Sequence, residues 1–127
     1  MPGSYLAPKL CLRMKKSEIR FTVELDDQSI PEKIFWEATD NPNEGIEETR
    51  AIAIALWDHH HRGTLNINLW SKDMEVGSIK QFYIEVMGGL AESLLKATGD
   101  QPMADGIENL CRHLTHQIEK ELKKEKK

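Results

Sequence analysis

The sequence predicts an α+β fold: about four antiparallel strands followed by two C-terminal helices packed on one face of the sheet. Three observations carry this expectation. Between Glu18 and Trp70, apolar and polar residues alternate with period two in several runs. From Val76 onward, apolar residues recur at three-and-four spacing instead. A block of strands followed by a block of helices segregates the helices to one side of an antiparallel sheet.

The first run, EIRFTVEL at residues 18–25, sets Ile19, Phe21, Val23 and Leu25 against Glu18, Arg20, Thr22 and Glu24. That pattern describes a half-buried strand. A turn follows at Asp26-Asp27-Gln28-Ser29, and Pro31 delays the next pairing. Residues 33–38 form a second strand, with Ile34, Trp36 and Ala38 on one face and Phe35 on the other. Trp36 belongs to the core side. TDNPNEG at residues 39–45 is a loop. Asp40 and Gly45 have the spacing of a calcium loop, but Pro42 holds the third position and the closing Glu is missing. An ordinary Asx-rich loop is the better description.

Residues 49–58 admit two readings. A helix would have Glu47 and Glu48 early, histidines late and Gly63 as its cap. A strand would alternate Ile52, Ile54 and Leu56 with Ala51, Ala53 and Ala55. Residues 64–70 alternate clearly, Leu65, Ile67 and Leu69 against Asn66, Asn68 and Trp70. The hairpin is favoured, because only a strand at 51–58 gives this second run a partner.

The first helix carries Val76, Ile79, Phe82, Tyr83, Val86, Met87, Leu90 and Leu94 on its stripe, and Gly99 ends it. Gly88-Gly89 weakens its middle, by up to ~1 kcal/mol each, and permits a bend or a close approach. After Asp100-Gln101-Pro102, a second helix runs from about Met103, with Ile107, Leu110, Cys111, Leu114, Ile118 and Leu122 as its stripe.

The chain of 127 residues suits one domain, assigned to residues 14–122. Residues 1–13 read as an extension ahead of Met14-Lys15-Lys16, a second candidate start, and residues 123–127 as a polar tail. Apolar residues at 39% and charged residues at 30% describe a globular chain. A net charge of -4 supplies no basic face for nucleic acid. No apolar run approaches the roughly 20 residues of a membrane span, and the N-terminus lacks the features of a secretory signal. Cys11 and Cys111 are too few for a disulfide framework, and Cys111 reads as a small core residue. The expected compartment is the cytoplasm.

Two features invite a functional reading. Asp58-His59-His60-His61 suggests a metal site. In the hairpin, His59 and His61 share a side two strand steps apart. Zinc needs three or four ligands, and His113 and His116 fall opposite the stripe of the second helix. A solvated turn is therefore the preferred reading, with no metal and no cofactor expected. The serines sit in no nucleophile elbow or phosphate loop, and the carboxylates lie on strand and helix surfaces, so no catalytic residue is assigned. The second feature is the pair Trp57 and Trp70. Strict alternation puts Trp70 on the side away from Leu65, Ile67 and Leu69, and Trp57 opposite Ile52, Ile54 and Leu56. Half-exposed aromatic residues anchor protein partners.

Four strings tie the chain to a known family: MKKSEIRFTVELD from Met14, PEKIFWEATDNPNEG from Pro31, LWDHHHRGTLNINLWSKDMEV from Leu56 and KATGD from Lys96. They resemble the gliding-motility GldC family of Bacteroidetes, over about residues 14–122. The resemblance implies a part in surface gliding and the associated secretion machinery, with no enzymatic activity, cofactor or catalytic residue to carry over. The expected function is that of an accessory, assembly or adaptor protein that binds other proteins, motility and secretion components among them, with a homo-oligomer of the chain as a further expected partner state. The element order is also similar to that of the export chaperone SecB, without a sequence match, which makes a holdase the alternative. Fold analogy alone says little about activity.

Overall fold

The computed structural model describes residues 15–41 and 45–125. The extension of residues 1–13, with Cys11, lies outside them, as does Pro42. The chain divides into two units, Met1–Arg50 and Ala51–Lys127.

The first unit is a three-stranded antiparallel sheet of β1 (Ile19–Leu25), β2 (Pro31–Ala38) and β3 (Glu47–Thr49), in that order. Residues facing each other across an antiparallel ladder share a face. Phe21 with Trp36, and Val23 with Ile34, therefore build one apolar side, and Arg20 with Glu37 falls on the other. Ile34 sits on the central strand between Val23 and Thr49 and is fully buried, while Trp36 is half-buried. The β1–β2 turn is held by Asp26, whose Oδ1 accepts the N–H groups of Gln28 at 2.8 Å and Ile30 at 3.0 Å. Pro31 does not delay pairing. It opens β2 opposite Leu25, where the register shifts between Glu24 and Leu25. The first residue of a strand is one of the places where a sheet tolerates the missing N–H.

The second unit holds β4 (Ala51–Asp58) and β5 (Gly63–Trp70), an antiparallel pair, followed by α1 (Val76–Thr98) and α2 (Gln101–Glu125). The strand reading of residues 51–58 is the right one. The two helices pack against each other, and α1 also touches β4. Ser71 ends the hairpin in a tight turn. It is buried, and its hydroxyl donates to Asp73 Oδ1 at 2.7 Å. Gly99 adopts the left-handed conformation, φ 73°, and donates its N–H to Leu95 O at 2.8 Å. Asp100 then caps α2 by accepting the Met103 N–H at 3.0 Å. This cap starts α2 at Gln101, two residues before the periodicity does.

The strands do not form a single four-stranded sheet, as the sequence suggested. They form two antiparallel sheets, of three strands and two strands. The difference lies in residues 47–58. Glu47–Thr49 pairs with β2, Arg50 interrupts, and Ala51–Asp58 pairs with β5. One stretch of chain thus serves two partners, and its first part, Glu-Glu-Thr, has no apolar alternation to announce it.

Candidate binding surface

The hairpin has two unlike faces. Cross-strand pairs Ile52–Leu69, Ile54–Ile67 and Leu56–Leu65 make one face wholly aliphatic. Ala51–Trp70, Ala53–Asn68, Ala55–Asn66 and Trp57–Thr64 make the other. Burial on the aliphatic face is graded. Ile52 is 8% exposed at the base, whereas Ile67, Leu56 and Leu65 nearer the turn are 39%, 50% and 56% exposed. Packing against the rest of the unit covers only the base of the hairpin.

The tryptophans lie where parity puts them, on the second face. Trp57 is 64% exposed and Trp70 is 47% exposed. They stand at opposite ends of that face, six residues apart along the strands, or roughly 20 Å at ~3.3 Å per residue. Between them the floor is made of Ala53, Ala55, Asn66 and Asn68, all short and all exposed. The result is an uncharged stretch of small and polar residues with an exposed indole at each end.

The histidines occupy the four-residue turn that closes the hairpin. Asp58 organises it. Its Oδ1 accepts the N–H groups of His60 at 3.0 Å and His61 at 3.2 Å, and its Oδ2 accepts from His61 Nδ1 at 2.7 Å. The Arg62 N–H donates to Asp58 O at 2.8 Å, with Arg62 at φ 54°. The His61 ring holds the Asp58 carboxyl below the usual aspartate range, and the backbone N–H of His61 adds to this. His59 meets His60 edge to face, with ring centroids 5.8 Å apart. His59 and His61 are therefore turn residues with different neighbours, and the two-step strand spacing does not apply to them. Among the described residues, no group of three or more His, Cys, Asp or Glu is placed to hold a metal ion. His113 and His116 are exposed on α2, beside Gln117 and Glu119 respectively.

A recess lies between the helices. Ile79, Tyr83, Ile84, Met87, Leu114 and Ile118 line an apolar groove of about 330 Å³. Lys80 Nζ and Glu121 Oε2, 3.1 Å apart, bridge the two helices beside it. Cys111 is half-buried on the same helix pair, and its Sγ lies 3.6 Å from Ile84 O. The sequence did not single out this groove, because a stripe of residues at helical spacing reads as core whether or not its partner helix covers all of it.

The chain is α+β, with apolar surface open on the hairpin and between the helices. The model of the GldC-like family, gliding motility-associated proteins, matches residues 31–120, and the chain belongs to that family. No curated protein and no solved structure matches it. Among the described residues, no helix is long and apolar enough to cross a membrane.

Proposed function

We propose that the chain is a non-enzymatic accessory or assembly factor of a gliding and secretion apparatus, which works in the cytoplasm by binding another protein. Family membership supplies the process. The observation that carries the mode of action is the pair of open indoles, Trp57 and Trp70, at the two ends of one hairpin face. Large aromatic rings desolvate much area while losing little rotamer freedom, so they dominate partner interfaces. The small residues between them let a partner segment lie close to the strands.

The test begins with a crosslinked pull-down at native expression level, with mass spectrometry of what is retained. A short, reproducible set of motility or secretion components is the expected result. Trp57→Ala and Trp70→Ala should then each weaken the main partner's binding by roughly thirtyfold, the scale of an interface hot spot, with an unchanged circular dichroism spectrum. Full binding by both variants sinks the proposal. Loss of folding makes the tryptophan a core residue.

The groove between α1 and α2 favours a second reading, a SecB-like holdase that takes extended apolar segments. A long, heterogeneous list of unfolded or exported clients, with suppression of their aggregation, selects it.

A further inference from the structure

The two sheets treat their edges differently. β1 carries Arg20 and Glu24, and Glu18 precedes it. Charges of this kind keep an edge strand from recruiting another strand. β5 has none of this protection. From Gly63 to Ser71 the sequence GTLNINLWS contains no charge and no proline. β5 is also a terminal strand of its sheet, hydrogen-bonded to β4 on one side and to no other strand among the described residues. Its aliphatic residues Leu65 and Ile67 are 56% and 39% exposed, while on β4 Ile52 is buried, Ile54 half-buried and Leu56 50% exposed.

We propose that the outer edge of β5 pairs with β5 of a second copy of this chain, antiparallel about a two-fold axis at Ile67, to give a continuous four-stranded sheet. The sequence selects the occupant because β5 complements itself. A pairing centred on Ile67 sets Ile67 against its own mate, Leu65 against Leu69, Asn66 against Asn68 and Thr64 against Trp70. Every aliphatic residue then stays on one face and every Asn on the other, whereas a slip of one residue inverts the faces. Asn66 against Asn68 also pairs amide with amide on the polar side. On β5, Leu65, Ile67 and Trp70 are each about half exposed, and each gains a cross-strand neighbour in the pair. The paired sheet also joins the two tryptophan-bounded faces. The inference concerns the purified chain alone and does not rest on the partner reading above.

Charge placement tests it. Asn66 and Asn68 are exposed and lie off the aliphatic face. In N66K/N68K, each lysine opposes a lysine across the two-fold. In N66K/N68E, each lysine opposes a glutamate. Sedimentation of the full chain should show a dimer, weakened roughly tenfold or more in N66K/N68K by two like-charge pairs and restored in N66K/N68E. A wild-type monomer at the highest soluble concentration overturns the proposal, as does equal association of all three proteins. Should a variant fail to fold, hydrogen exchange on the unmodified chain decides. Amides of residues 63–70 must gain protection as concentration rises, and unchanged protection overturns the pairing. A monomer whose β5 amides are protected only by an added valine-threonine repeat peptide gives the edge to a client strand and overturns the second copy.

Discussion

Asp58 shows how much one side chain sets at the tip of the hairpin. Its carboxylate accepts two backbone N–H groups and the His61 ring, so the negative form is the one that the folded turn stabilises. The shift is downward, and the sign follows. The contribution is complete above the unfolded aspartate value, roughly pH 4, and is lost as pH falls through the lower folded value. Asp58→Asn should therefore lower the melting temperature slightly at neutral pH, and the gap to wild type should close in acid. Thermal melts across a pH series check this; a gap that stays constant in acid would show that charge is not what the turn uses. The effect is small because the group is exposed and screened. That Asp58 opens a turn was legible in DHHHRG. That His61 rather than His59 bonds to it was not, because the pairing depends on side-chain rotamers within the turn. The positions of Trp57 and Trp70 were legible for the opposite reason: parity along a strand needs no rotamer.

At the scale of elements, alternation revealed β1, β2, β4 and β5, and three-four spacing revealed both helices. β3 escaped because three polar residues pair only where β2 offers an edge. Ala91 and Ala104, the buried residues of the helix pair, escaped because alanine adds little to an apolar stripe. The glycines separate into two kinds. A Cβ added at Gly88 or Gly89 meets nothing within 4 Å, so neither glycine is required for a close approach. Gly88→Ala and Gly89→Ala should each stabilise the protein by about 0.5–1 kcal/mol through helix propensity. Gly99, at φ 73°, is different. Gly99→Ala should cost about 1–2 kcal/mol, because an L-residue is strained there. Urea unfolding measures all three, and a destabilised Gly89→Ala would show that the helix pair needs its glycines.

For the molecule as a whole, surface charge has to keep open apolar residues apart. Ile19, Leu25, Val76, Leu90, Met103 and Leu122 are exposed in addition to the hairpin residues. The net charge is only -4 and vanishes near pH 5.7. Solubility should therefore pass through a minimum close to that pH. Turbidity across a pH series reads it, and a flat profile counts against charge as what keeps the copies dispersed. The class of fold was legible at this scale, but the division into two sheets was not, because it depends on one residue, Arg50, at which the chain changes pairing partner. That division has a consequence in time. Among the described residues, every strand ladder, and the helix pairing, joins elements that follow one another directly in the chain. Each closes a short loop, which favours rapid folding. During synthesis, the three strands of the first unit can pair before the helices have left the ribosome.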